Sequence, residues 1–187
     1  LNKTQKLIPN NKNVLITIDD GYQDNYTCIY PILKKYSIPA SIFLATNFIG
    51  KDMAIGGIKL PMLNKEQIKE MYDSKLIYFG SHTHNHIFFD DIEDANQIDE
   101  DLEKCSNIID NILGYKPRYF VYPKGRFNEK YRKILSKYFD YAFQGIGCAK
   151  EIKDDFRVHR VELLHNSSKL KQFYHFNCLH WIKRLIK

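Results

Sequence analysis

The chain has 187 residues, 44% hydrophobic and 27% charged, the balance of a soluble globular protein able to bury one core without disulfide staples. Its net charge of +6 comes from 28 Lys and Arg against 22 acids. The bases are spread out, with no run of five or six, which excludes a nucleic-acid footprint by composition; a modestly basic surface would suit an anionic polymer or a phosphate-bearing lipid. No stretch approaches a membrane-spanning length of apolar residues. The four cysteines, Cys28, Cys105, Cys148 and Cys178, are singly placed and exclude a disulfide framework or zinc ribbon. Cys28 and Cys105 fall at apolar positions of predicted helices, as small core residues would.

Residues 1–12 are polar and rich in Asn and Lys, a lead-in to a single domain over 13–187. Asn13 to Ile18 is the first predicted strand, ending in Asp19-Asp20-Gly21. Tyr26 to Tyr36 has helical apolar spacing, with Pro31 an awkward resident. Ala40 to Ala45 is a nearly continuous apolar run of buried-strand type. Gly50 to Pro61, with its Gly56-Gly57 pair, reads as a loop. Asn64 opens a helix with Gln67 three residues on, a capping-box pattern.

Leu76 to Phe79 is a third strand, followed by Gly80-Ser81-His82-Thr83-His84-Asn85-His86. From Ile92, apolar residues spaced by three and four predict a long amphipathic helix stopped at Gly114. Tyr119 to Tyr122 is a fourth strand, leading into Pro123-Lys124-Gly125. A helix over Asn128 to Lys137, strands at Tyr141 to Phe143 and Arg157 to Leu164, and a closing helix from Ser167 complete the chain. Strands alternating with helices predict a parallel sheet, either open and doubly wound or closed into a barrel. Both place the active site beyond the C-terminal strand ends, where the Asp pair, the histidine cluster and Tyr122-Pro123 all fall.

Two adjacent carboxylates repel each other, and burial makes this worse, so such a pair persists where something compensates it. Three of the seven histidines, His82, His84 and His86, occupy alternate positions. A surface strand would produce the same pattern, but His82 and His86 at i and i+4 meet on one side if the segment turns helically. Two imidazoles and one carboxylate form a common catalytic site for zinc or a related divalent ion. Asp20 is the natural carboxylate, which leaves Asp19 as a general base.

These residues resemble the polysaccharide deacetylases of the NodB type, carbohydrate esterase family 4. Thr17-Ile18-Asp19-Asp20-Gly21 is similar to the family's Thr-Phe-Asp-Asp-Gly motif, and His82-Thr83-His84-Asn85-His86 to its His-Ser/Thr-x-x-His motif. Pro39 to Leu44 looks like the family's second strand. Tyr122-Pro123-Lys124-Gly125 resembles the third motif as found in the branch acting on poly-N-acetylglucosamine. The resemblance covers about Val14 to Leu164. It implies a distorted (β/α) barrel with a mostly parallel sheet, and metal-dependent removal of N-acetyl groups from N-acetylhexosamine units of a surface glycan.

Carried over by position, the resemblance makes Asp20, His82 and His86 the metal ligands and Asp19 the base. The ion implied is Zn2+, with Co2+, Ni2+ or Mn2+ as alternatives. Tyr122, Pro123 and Lys124 would contact substrate, with the Lys124 N–H in the oxyanion hole. His84 falls at an x position, either behind the ligands or exposed. The family's third-motif arginine, which orients the base, is replaced here by Val121, leaving Arg126 or Arg160 to hold Asp19. Lys124 occupies the position of an expected aromatic residue. The fourth motif's Trp has at best Asp140-Tyr141 as counterpart, Trp181 lying in the terminal helix. Leu163-Leu164-His165 resembles the fifth motif and implies His165 as general acid.

The alternative readings are a deacylase of a lipid-linked or small amino sugar, another C–N amidohydrolase, or a non-catalytic carbohydrate-binding domain. The family implies the bacterial cell envelope or secretion. No signal peptide is visible, but the chain starts at Leu1 rather than Met, as it would if an N-terminal segment had been cut away. Localisation is therefore not read from that absence, and the cytoplasm stays open beside the envelope.

Overall fold

The computed structural model describes residues 14–146 and 154–160. The lead-in, His165, Trp181 and the predicted closing helix lie outside them. Among the described residues, six strands form one parallel sheet in the order β1 (Ile16–Ile18), β2 (Ala40–Leu44), β5 (Ile77–Ser81), β6 (Tyr119–Val121), β7 (Tyr141–Ile146) and β8 (Val158–Arg160). Neighbours in space are neighbours in sequence once the small hairpin β3 (Asp52–Ile55) and β4 (Ile58–Pro61) is set aside. Such an order, with right-handed crossovers, keeps the helices on one side and curls the sheet into a half-barrel. The expectation of a distorted (β/α) barrel holds, and the doubly wound alternative does not.

Helices α1 (Tyr30–Tyr36), α2 (Lys65–Asp73), α3 (Ala95–Leu113) and α4 (Arg132–Tyr138) cover one face of the sheet. Ile42, Leu44, Ile77 and Phe79 pack there against Leu33, Ile68, Met71, Cys105 and Ile109. Further along, Phe120 and Ala142 meet Ile98, Leu102 and Leu135. Strand alternation sends Phe43, Tyr119, Val121, Phe143 and Val158 to the opposite face, where they form their own cluster. Strands buried on both faces explain why β2 reads as a continuous apolar run. No helix among the described residues is long and apolar enough to cross a membrane.

Local signals hold where their chemistry is complete. The Asn64 side chain accepts from Gln67 N, and the Gln67 side chain accepts from Asn64 N, a closed capping box. Gly114, at φ 75°, caps α3. Pro31 sits in the first turn of α1, where its missing N–H costs little. The residues before it, Asn25–Ile29, form a π-turn. That turn takes an extra residue per revolution and shifts the helical phase. Cys28 is consequently exposed rather than a core residue, while Cys105 is buried as expected.

The segment expected to be a loop from Gly50 to Pro61 is instead the antiparallel hairpin β3–β4. Gly56 and Gly57, at φ 57° and 82°, close it with the two left-handed residues that a tight I′ turn requires. The helix expected from Asn128 begins as a 3₁₀ turn over Glu129–Tyr131 and becomes α4 only at Arg132. After β6, the Pro123–Gly125 turn packs directly on β7. A Cβ on Gly125 would lie 2.2 Å from Gly145 Cα, and its φ is 62°. Gly125→Ala therefore adds backbone strain to an overlap that no rotamer relieves. Denaturant unfolding should show a loss of at least ~2 kcal/mol.

Candidate active site

β1 delivers Asp19 and Asp20 to its C-terminal end, and the chain must turn at once. Asp20 has φ 69° and Gly21 φ 83°. A Cβ on Gly21 would meet Leu44 Cδ2 at 2.6 Å, so glycine is needed for both conformation and space. Backbone bonds from Ala45 N to Asp20 O (3.3 Å) and from Leu63 N to Gly21 O (2.9 Å) fix the turn against β2 and the entry to α2.

The histidine segment follows β5 without forming a helix. His82 N donates to Leu44 O at 3.0 Å, which continues the sheet by one residue. Thr83 and His86 then take left-handed backbone, φ 67° and 55°. Two reversals, rather than the helical turn expected from i and i+4 spacing, bring the rings of His82 and His86 to 5.1 Å. The buried carboxylate of Asp101 on α3 shapes this loop. It accepts His84 N–H at 2.5 Å, Asn85 N–H at 3.0 Å and the Asn85 side-chain amide at 2.9 Å.

His84, the x-position histidine, is buried behind the loop, its Nδ1 2.9 Å from Thr46 Oγ1. Burial, with Lys104 nearby, lowers its pKa and keeps it neutral. Asp101→Ala should weaken divalent-ion affinity ~10- to 100-fold in a competition titration, since loss of such orienting bonds has that effect at other sites.

Asp20 Oδ1 lies 3.3 Å from His82 Nε2 and 3.2 Å from His86 Nε2. It is buried and has no hydrogen-bond partner among the described residues. His82 Nδ1 is 2.8 Å from Val121 O, an atom that can only accept. Nδ1 therefore carries the hydrogen, and in the neutral ring Nε2 presents a lone pair towards a carboxylate oxygen. Lone pairs facing one another call for a cation between them. A tetrahedral ion with bonds of ~2.0–2.2 Å would hold its donors ~3.4 Å apart, close to the spacing here. The three donor atoms lie within 4.8 Å of one another. The N₂O donor set thus fits a zinc-like divalent ion. Burial pushes the Asp20 pKa up; if the two rings are protonated instead, with no ion between them, their N–H donors and positive charge outweigh burial and hold the carboxyl well below the usual range.

Asp19 points to a different partner. Arg160, on the last described strand, donates Nη1 to Asp19 Oδ1 at 2.6 Å and Nη2 to Oδ2 at 2.7 Å. The guanidinium is anchored by Nη1 to Thr17 Oγ1 (3.2 Å) and Nε to Gln144 O (3.2 Å). Of the two arginines considered from sequence, Arg160 holds Asp19. Arg126 is exposed and its guanidinium carbon lies 6.0 Å from the Phe88 ring centre.

Asp19, Asp20, His82, His86 and Lys124 share a cavity of about 420 Å³, walled by Phe88 and by Met53, Ala54 and Ile55 of the unforeseen hairpin. Pro123 is buried in the turn that carries Lys124. That turn's bonds run from Gly125 N and Arg126 N to Tyr122 O and Pro123 O, leaving the Lys124 N–H without an acceptor inside the turn. The Tyr122 side chain is no part of the cavity. It is fully buried, stacks edge-on with Phe89, Phe120 and Phe127, and donates to Phe156 O at 3.0 Å. Its ring fills the core between α3 and α4. His165 lies outside the described residues.

A curled parallel half-barrel with carboxylates and imidazoles at its C-terminal rim has the architecture of NodB-type hydrolases. Residues 6–140 match the family described as polysaccharide deacetylase. The Bacillus subtilis protein YxkH, assigned by name to the polysaccharide deacetylases, is 34% identical over 162 residues, covering 86% of this chain and 54% of its own length. The poly-beta-1,6-N-acetyl-D-glucosamine N-deacetylase of Staphylococcus epidermidis is 30% identical over 162 residues, 80% of this chain and 54% of that protein. Among solved structures, IcaB from Ammonifex degensii superposes with a TM-score of 0.77 at 28% identity, covering 87% of this chain and 72% of that one. The chain belongs to the polysaccharide deacetylase family, carbohydrate esterase family 4. It spans about half the length of the curated relatives it matches.

Proposed function

We propose that this chain is a divalent-metal-dependent hydrolase that removes N-acetyl groups from N-acetylhexosamine units of a glycan. The observation that carries the reading is the division of the Asp pair. The unpartnered Oδ1 of Asp20 faces two imidazole Nε2 atoms, while Asp19 is held on both oxygens by Arg160. Asp20, His82 and His86 would hold the ion, Zn2+ being the best match to the donor set. A divalent ion there supplies Lewis acidity towards an amide carbonyl and makes water a stronger acid.

The rest is the work of the chain. Asp19, its two oxygens fixed by the guanidinium, accepts the proton that attacking water gives up. The Lys124 N–H, free of the turn's own bonds, is positioned as a donor to the developing oxyanion. His82 keeps its Nε2 available because Val121 O holds the hydrogen on Nδ1. Phe88 and the β3–β4 hairpin narrow the cavity and reduce the access of bulk water. The general acid returning a proton to the leaving amine is assigned to His165 by the family motif alone.

The reading is tested by acetate release from N-acetylglucosamine oligomers with wild-type protein and Asp19→Asn. Release by the wild type and a loss of ~10²-fold or more in kcat for the variant are expected. Full turnover by Asp19→Asn would remove Asp19 from the base role. A second reading, a lipid-linked amino sugar as substrate, is favoured by Ile55, Ile58 and Leu60, which lie exposed on the hairpin beside the cavity. Faster turnover of a lipid-linked N-acetylglucosamine than of the free oligomer would select it.

A further inference from the structure

The cavity carries a charge pattern that the reaction itself does not require. Lys124 lines it, on the same side as Phe88, and its Nζ stands 4.1 Å from the centre of the Phe88 ring. Arg126 approaches the same ring at 6.0 Å. Neither cation has a carboxylate partner among the described residues, whereas Arg118, Arg132, Lys137 and Arg160 all do. The ring itself is fixed, edge-on to His86 at 5.5 Å. A cation over an aromatic face loses little of its ability to attract an anion, and the ring limits the positions it visits.

The backbone adds a second observation. Lys124 adopts φ 54° and ψ 17° inside the turn, a left-handed conformation that costs a side chain other than Gly, Asn or Asp about 1–2 kcal/mol. Glycine or asparagine would suit that position better, so the residue present is one the backbone disfavours. Observed strain at a cavity wall points to a role for the side chain. An ammonium here attracts anions and repels the ammonium of a deacetylated hexosamine unit.

The geometry points to Lys124, assisted by Arg126, as a subsite for an anionic substituent, a carboxylate or a phosphate, borne by the N-acetylhexosamine glycan. This rests on the proposed deacetylase reading and narrows its substrate class from N-acetylated glycans in general to acidic ones. The two cations favour acidic glycans before reaction and disfavour the cationic amine afterwards.

The test is equilibrium binding by calorimetry, run alongside acetate release, with three N-acetylhexosamine tetramers: neutral, carboxylate-bearing and phosphate-bearing. Wild-type protein should bind at least one acidic tetramer about 5- to 10-fold more tightly than the neutral one at low salt, with the difference shrinking as salt rises. Lys124→Asn tolerates the left-handed backbone and removes the charge, and it should bring the ratio close to one. Lys124→Arg should retain the preference. A response to both acidic tetramers supports a general anion subsite, and a response to one identifies the anion.

Equal affinity for the three tetramers in wild type, no binding of either acidic one, or a preference that survives Lys124→Asn combined with Arg126→Gln would overturn the inference. Acetate release that persists with equal affinities sinks the subsite and leaves the deacetylase reading standing. Preferential binding with no acetate release does the reverse.

Discussion

Replacing Asp20 by Ala should abolish stoichiometric divalent-ion binding and lower acetate release by at least ~10³-fold, ~4 kcal/mol of transition-state stabilisation. Asp20 Oδ1 is the common neighbour of His82 Nε2 and His86 Nε2, so its loss removes the only carboxylate from the donor set of the described residues. Removal should not unfold the protein. The carboxylate sits at a strand end, its Oδ1 makes no hydrogen bond, and the turn is fixed by backbone bonds and Gly21. Metal content measured on the folded variant separates loss of the ion from loss of the fold. An Asp20→Ala protein that keeps one tightly bound ion at this site would refute the ligand assignment.

The second large effect is expected at Arg160. Arg160→Ala should lower kcat ~10²-fold with KM changed less, because the guanidinium orients Asp19 and does not line the cavity. Arg160→Lys should recover only part of this, since an ammonium cannot grip both carboxylate oxygens in one plane. Ion affinity should stay close to wild type in both variants, as Arg160 bonds to Asp19, Thr17 and Gln144 and to none of the proposed ligands. Equal kcat for wild type and Arg160→Ala would show that Asp19 needs no such support.

Much of the site was legible in the sequence because its chemistry is local. An apolar strand that ends in Asp19-Asp20-Gly21 states both a strand end and a charge problem. Three histidines within five residues after another strand state a second. How they meet was not legible. The spacing of His82 and His86 suggested a helical turn, whereas the loop closes through left-handed Thr83 and His86 with Asp101 bonding its amides. Asp101 reads as one more polar position of an amphipathic helix, and nothing local marks it as buried.

Arg160 illustrates the same limit at long range. It lies 141 residues from Asp19 in sequence, and the contact between the ends of β1 and β8, first and last in the sheet order, emerges only from the curl of the half-barrel. Arg126, nearer the motif, was an equal candidate on paper. The hairpin is hard to read because β3, Asp52-Met53-Ala54-Ile55, does not alternate and β4 is only four residues ending in Pro61, although Gly56-Gly57 is a recognised hairpin turn. Within the third motif, Lys124 reaches the cavity from a turn, while the Tyr122 ring completes the core.

The most direct test of the whole account is acetate release from N-acetylglucosamine oligomers by chelator-stripped wild-type protein titrated with Zn2+. Activity should be absent in the stripped protein, rise in proportion to bound ion and saturate at one ion per chain. Undiminished turnover after stripping, or turnover that does not follow ion occupancy, would contradict it.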